Sequence, residues 1–249
     1  KYKKKVSKDL IQMPKVRSIS IVVPAFNEEK DLRNSINVIH KYLEAIVDKF
    51  EILIVENGST DKTAIIAKEL EAELSNVKSF SLDTPSFGGA YRYGILQAQN
   101  DMVTLYPVDL TFSLDFIKRA FKLIEKYPIV LGVRFHEKSE VDRPLIRTII
   151  SRFHTMLVNA FFWTHYNDVD CLKAFRTNIG KRLVKFTSAD GPFIEVEFVY
   201  LLKKSGLTYL EIPINHIERE FARHPYYIIR SILNNFIQLL IYKLKTIFS

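Results

Sequence analysis

Carboxylates and amides gather at three places where an apolar run stops. Asp109 follows Met102-Val103-Thr104-Leu105 in LYPVDLTFS, residues 105–113. Glu56, Asn57 and Asp61 stand in VENGSTDKT, residues 55–63, directly behind Glu51-Ile52-Leu53-Ile54-Val55. Asn27 and Glu28 follow the run from Ser18 to Pro24 in PAFNEEKDL, residues 24–32. In open α/β sheets, ligands bind beyond the carboxyl ends of the strands, so these groups stand where chemistry is expected. A divalent cation at Asp109 would usually take a second carboxylate, but Mg²⁺ can be held by one or two together with substrate phosphates and water. Each group also has a structural use: Asn27 can start a turn, and Asp61 can cap the helix after Thr60. One such use explains one residue. Three polar strand ends on one edge exceed what a sheet alone requires.

The elements that must position these groups are legible from periodicity. Ser18-Ile19-Ser20-Ile21-Val22-Val23-Pro24 reads as a buried strand closed by proline. Residues 29–47 place Leu32, Ile36, Ile39, Leu43 and Ile46 at helical spacing. Residues 51–55 read as a second buried strand and 61–74 as a second helix. A short strand at 77–80, a turn at Gly88-Gly89 with a helix behind it, and the strand before Asp109 complete the first half. Strands alternating with helices predict an α/β fold with a largely parallel sheet.

The second half is less regular. Residues 145–166 form a long helical pattern with apolar Leu145, Ile149, Phe153, Leu157 and Ala160, opposite Arg147, Ser151, Thr155 and Asn159. Phe161-Phe162-Trp163 ends it, and residues 193–204 read as a helix stopped at Gly206. Residues 226–248 are amphipathic, with Ile229, Leu233, Phe236, Leu240, Leu244 and Phe248 on one stripe. The uncharged interval between Arg230 and Lys243 is shorter than the ~20 apolar residues of a spanning helix. Such a helix can lie in a membrane interface, or pack on the domain or a partner. The expected organisation is a basic arm at 1–17, one domain at 18–225, and this helix at 226–249.

The 249 residues suffice for one domain with a sizeable core. A hydrophobic content of 47% argues against general disorder. The net charge of +8 favours anionic partners such as nucleotides, phosphates or anionic lipid. The basic residues are dispersed and no recognition motif is present, so a nucleic-acid partner is not expected. Cys171 is the single cysteine, which excludes an intramolecular disulfide and a cysteine-cluster zinc site. The first ten residues, KYKKKVSKDL, are basic and polar and lack the apolar core of a signal peptide.

PAFNEEKDL and VENGSTDKT resemble the two opening motifs of family 2 glycosyltransferases, which have a GT-A, Rossmann-like fold. The likeness continues through SFGGAYRYGIL at 86–96, DVDCLKAFR at 168–176 and FIEVEFVYLLKKSGLTYLEIPI at 193–214. The last two blocks most resemble the polyprenyl-phosphate branch, the dolichyl-phosphate mannose and glucose synthases.

The resemblance implies a nucleotide pocket lined by Pro24, Ala25, Asn27 and Glu28. Glu56 and Asn57 stand where the family commonly has two aspartates for the base and ribose. It further implies donor contacts from Gly88, Arg92, Val108 and Asp109. Arg134 and Arg219 match basic positions that hold phosphate, work that suits a bidentate guanidinium. The family's metal motif is Asp-x-Asp; here it is Pro107-Val108-Asp109, so only Asp109 is left to ligate Mg²⁺ or Mn²⁺.

The implied enzyme is an inverting hexosyltransferase moving sugar from a nucleotide-diphosphate sugar to a polyprenyl phosphate. It would work on an anionic membrane surface, at the cytoplasmic face, peripherally or through an anchor outside this chain. A phosphate acceptor is already anionic and needs no base, whereas a saccharide hydroxyl does; Glu195 and Glu197 are the carboxylates placed for that. A degenerate nucleotide-binding scaffold is the further alternative.

Overall fold

The computed structural model describes residues 15–218 and 236–244. Most of the basic arm (1–14), Arg219 and the rest of the C-terminal stretch (220–235 and 245–249) lie outside the described residues.

A seven-stranded sheet runs in the order β3-β2-β1-β4-β7-β5-β8. The strands are β1 (Ser18–Ala25), β2 (Lys49–Glu56), β3 (Val77–Ser81), β4 (Met102–Leu105), β5 (Ile129–Val133), β7 (Leu172–Arg176) and β8 (Leu210–Pro213). Helices α1 (Leu32–Glu44), α2 (Thr63–Glu73), α3 (Phe87–Gln97), α4 (Asp115–Leu123), α6 (Thr177–Val184) and α7 (Ile194–Ser205) flank it. A small sheet pairs β6 (Glu140–Asp142) in parallel with β9 (Asn215–Ile217), and α5 (Leu145–Phe162) lies between β6 and β7 in sequence.

The central strands are near-continuous apolar runs because both their faces are covered. Every residue of β1 except Pro24 is buried, as is every residue of β2 after Lys49. On one side α1 presses Leu32, Ile36, Ile39 and Leu43 into the core, all fully inaccessible. On the other side α3 meets β1 at Gly94, where a Cβ would lie 2.2 Å from Val22 Cγ1. Helix and strand approach this closely only because glycine has no side chain.

All sheet pairings but two are parallel; β7 runs antiparallel to both β4 and β5. Thr104 pairs with Ala174 and Met102 with Arg176, so β7 begins at the edge where β4 ends. This reversal delivers residues 168–172 to the carboxyl edge already occupied by the first three loops.

One expectation needs correction, and one helix takes an orientation that periodicity leaves open. Gly88 and Gly89 form no turn ahead of a helix; they lie in the first turn of α3, which Ser86 caps by accepting from Gly89 N at 2.8 Å. Leu145, Ile149 and Phe153, the apolar stripe of α5, face outward at 73%, 53% and 51% exposure. Its polar side faces the domain instead, with Thr155 buried beside Val158 and Phe162.

Candidate active site

The loops after β1 and β2 are stitched together by their polar residues. Asn27 adopts a left-handed φ of 55°, a region asparagine tolerates better than most residues. Its Oδ1 accepts from Thr60 N at 2.9 Å, and its own N–H donates to Ser59 Oγ at 3.0 Å. Glu28 N donates to Thr63 Oγ1 at 2.7 Å, and Glu29 N to Asp61 Oδ2 at 3.2 Å. Asp61 Oδ1 also accepts from Thr63 N at the start of α2. These bonds hold its carboxyl below the usual range, against the opposing effect of burial.

The cleft opens beside these loops, with a volume of about 420 Å³. Pro24, Ala25, Phe26, Glu28 and Asn57 line one side of it, and Pro107, Val108, Asp109 and Phe112 come from the loop after β4. Asn57 is fixed by accepting from Ser86 N at 2.6 Å. Glu56 is 3% exposed, accepts from Ser59 N in its own loop, and is not among the lining residues. Asn27 is likewise outside the lining.

Asp109 Oδ1 accepts from Thr111 N at 3.1 Å and Thr111 Oγ1 at 2.9 Å. The next residue, Leu110, has φ of 51°, a left-handed conformation that a leucine adopts only under local constraint. One carboxylate therefore faces the cleft from the position of the metal motif, and Pro107 offers no side-chain ligand. Among the described residues no three His, Cys, Asp or Glu side chains gather as a metal cage. This donor set fits a hard cation that arrives with a diphosphate, not one enclosed by protein.

Asp170, Cys171, Leu172, Lys173 and Glu195 form another part of the lining, contributed by the start of β7 and by α7. Lys173 is 1% exposed and donates to Val169 O and Cys171 O, both at 3.0 Å, and to Glu195 Oε2. Burial opposes its charge, but the Glu195 carboxylate helps to hold the ammonium above its ordinary pKa. Burial pushes Glu195 up despite that partner. Asp170 lies 3.6 Å from His154 Nδ1 on α5. Desolvation works against the Asp170 charge, yet His154, Arg134 and Lys173 together hold its carboxyl well below the usual range. Burial raises the Cys171 thiol, so it stays protonated.

The sequence expectations fare unevenly. Pro24, Ala25, Glu28, Asn57, Val108 and Asp109 meet at one cleft. Gly88 and Arg92 serve a neighbouring loop. Gly88 N donates to Asp190 O at 2.8 Å, and a Cβ on Gly88 would fall 1.9 Å from Ala189 O. Arg92 donates to Ala189 O at 2.7 Å and to Asp190 Oδ1 at 3.0 Å. Glu197, 1% exposed, accepts from Ser188 N and Ala189 N and so holds the same loop from the other side. That employment leaves Glu197 badly placed to act as a base.

Arg134 is 8% exposed and clamps the fully buried Asp168 with two bonds of 2.8 Å. It stands behind the cleft and does not line it. Arg219 lies outside the described residues. Missed altogether were Asp170 and Lys173, although both sit in the DVDCLKAFR block. An aspartate pair just before an apolar run was the available signal.

Comparison with known proteins agrees with this fold. Residues 20–183, more than half of the chain, match the family described as Glycosyl transferase family 2. Glycosyltransferase AglD of Haloferax volcanii is 27% identical over 203 residues, which is 79% of this chain. The chain spans only 32% of AglD's length. An uncharacterized protein, MJ1222 of Methanocaldococcus jannaschii, is 29% identical over 213 residues, covering 82% of this chain and 83% of its own. Among solved structures, glucosyl-3-phosphoglycerate synthase from Mycobacterium tuberculosis, with Mn²⁺, UDP and glucosyl-3-phosphoglycerate, superposes at a TM-score of 0.65. That likeness covers 91% of this chain and 80% of the synthase at 18% identity, and it establishes the GT-A architecture. With its motif loops meeting at one cleft on that architecture, the chain belongs to glycosyl transferase family 2.

Proposed function

We propose that this chain transfers a sugar, with inversion, from a nucleotide-diphosphate sugar to a polyprenyl phosphate at the cytoplasmic face of a membrane. The observation that supports the acceptor side is a pair of arginines, Arg143 and Arg147, that share one carboxylate behind the cleft. Arg143 Nε donates to Glu218 Oε2 at 3.0 Å, and Arg147 pairs with the same carboxylate. Burial, and then the charge of Arg134, lowers Arg143 to about 10. His216 packs edge-on against the cleft residue Phe112 at 4.7 Å. Burial and then Arg134 and Arg143 lower its pKa to about 4, so it stays neutral at physiological pH. Arg143 and Arg147 share the Glu218 carboxylate, and a guanidinium pairs with a phosphate as it does with a carboxylate.

Pro24, Ala25, Glu28 and Asn57 would receive the nucleoside, and Asp109 would face its diphosphate. A divalent ion, Mg²⁺ or Mn²⁺, held by Asp109 and the donor's own phosphates would offset charge developing on the leaving group. The Mn²⁺ and UDP in the M. tuberculosis synthase support that arrangement. A polyprenyl phosphate attacks through an oxygen that is already anionic, so the employment of Glu197 in the 188–189 loop and of Glu195 with Lys173 is no obstacle.

A second reading, transfer to a saccharide hydroxyl, draws on one observation: Asp170 is a cleft carboxylate with an imidazole behind it. Calorimetric titration with UDP and GDP, each with Mn²⁺ and with EDTA, tests the donor site. Transfer of labelled sugar to a polyprenyl phosphate in detergent tests the acceptor. Metal-dependent nucleotide binding with lipid-extractable product is expected. Product on a saccharide alone would favour the second reading, and no binding of either nucleotide would leave a degenerate scaffold.

A further inference from the structure

We propose that the outward face of α5, extended by helix 236–244, is an in-plane docking surface for an anionic lipid bilayer. This rests on the reading of a lipid-linked acceptor and assigns the surface that meets the lipid. The outward positions of α5 are Leu145, Ile146, Ile149, Phe153 and Met156, each between 51% and 73% exposed. They recur every three to four residues and so make one stripe along the helix. Trp163, just past its end, is 79% exposed.

The orientation of α5 is fixed from inside. Arg147 pairs with Glu218, Ser151 accepts from Arg143, His154 faces Asp170, and Asn159 bonds Thr164 and Tyr166. Turning the apolar stripe inward would strand all of these polar groups, so the exposed stripe is a feature of the folded domain. Helix 236–244 continues it. Leu239 is buried, and Tyr242 packs on Phe162, Phe193 and Tyr200, while Ile237, Leu240, Ile241 and Leu244 stay 40–56% exposed. Phe236 contacts Phe161 at 6.3 Å between ring centroids, which makes the two stripes neighbours.

Charge selects the occupant. Neither α5 nor residues 236–244 contains an aspartate or glutamate, whereas Arg152 and Lys243 lie on them away from the inward ion pair of Arg147 with Glu218. Two apolar stripes accompanied only by cations suit an anionic bilayer, into which such a face sinks ~5–10 Å. No helix among the described residues is long and apolar enough to cross a membrane. Because α5 is ~10 Å across, its inner residues Arg147 and His154 would stand about one helix diameter from the lipid. A lipid phosphate could reach them without leaving the interface.

Trp163 is the only tryptophan, so its emission reports the surface directly. The full chain is mixed with phosphatidylcholine vesicles, with and without phosphatidylserine, and sedimented while emission is recorded. The expected result is phosphatidylserine-dependent binding with a blue shift, and quenching by brominated lipid. The double variant Ile149→Glu with Phe153→Glu should weaken binding at least about tenfold, which is about 1.4 kcal/mol, and leave nucleotide titration unchanged. Failure of wild type to bind, or equal binding by the variant, overturns the proposal. So does a lipid-independent dimer that the variant dissolves, since the face would then be an interface between copies. Vesicle binding without transfer to polyprenyl phosphate would instead spare the surface and overturn the acceptor reading.

Discussion

Helices α1 and α5 are both amphipathic, yet they sit on the domain in opposite senses. α1 buries Leu32, Ile36, Ile39 and Leu43 completely and turns its charged residues to solvent. α5 exposes its apolar stripe and turns inward hydrogen-bonding groups whose partners come from β7's approach, the 143–144 corner or the segment after β9, although His154 Nε2 is buried without one. Periodicity shows that two faces of a helix differ. It does not show which face meets the core. That depends on whether the core offers apolar surface, as β1 and β2 do to α1, or charged and polar partners, as the 166–170 segment does to α5. An exposed apolar face is tolerable in water but favours a covering surface.

The contrast can be broken at several points. The largest effect is expected where the polar support behind α5 is deepest. Asp168→Ala leaves Arg134 buried without its partner and should cost roughly 3–5 kcal/mol in urea unfolding; a cost below about 1 kcal/mol would mean that this support is not needed. Next, Ile39→Ala on α1 should cost about 3 kcal/mol, within the range for an aliphatic side chain lost from a closed core. Asn159→Ala removes the side chain that links α5 to Thr164 and Tyr166, and about 1–3 kcal/mol should be lost. If it proved as cheap as an exposed substitution, the polar inner face would not be what holds α5.

A smaller effect depends on pH. Burial disfavours the His154 charge, but Asp170 and Asp168 outweigh burial and Arg134, so the folded pKa lies above the unfolded one. The stabilisation is therefore fully present below about pH 6.5 and declines as pH rises through the raised folded value. Urea midpoints at pH 6 and pH 8 should show wild type losing stability over this interval relative to His154→Gln. Parallel curves would remove His154 from the support. The smallest effect is the sharpest test: Ile149→Ala, at the same residue type as Ile39, should change stability by less than about 0.5 kcal/mol.

Much of the cleft wall made by the loops after β1, β2 and β4 was legible because it depends on local patterns. Apolar runs ended by Pro24, Glu56 and Leu105 gave the strands, and the polar residues behind them reach the same edge. The roles inside those loops were less legible. Asn27 and Glu56 bond to residues of the loop after β2, so a motif position read as a ligand contact is also a structural tie. The resemblance puts Arg134 at a phosphate and Arg92 at the donor, but Asp168 and Asp190 hold them. Those partners lie 34 and 98 residues away, beyond any spacing rule. Asp170 and Lys173 went unnoticed because nothing local signals that β7 runs antiparallel. Only that reversal puts the start of β7, and not its end, beside Asp109.

The same reversal has a consequence for biogenesis. β4 is flanked by β1, more than 80 positions upstream, and by β7, about 70 downstream, so the cleft is closed by pairings with large loop-closure cost. A chain emerging from the ribosome can assemble β1, β2 and β3 with their helices, but has only half a cleft until residues 168–173 follow. The wall containing Glu195 arrives later still. The wall made by the loops after β1, β2 and β4 thus stands alone for about 3–12 s of synthesis, at ~5–20 residues per second, before residues 168–173 follow. During that interval β4 has an unpaired edge, open to pairing with another chain until β7 covers it.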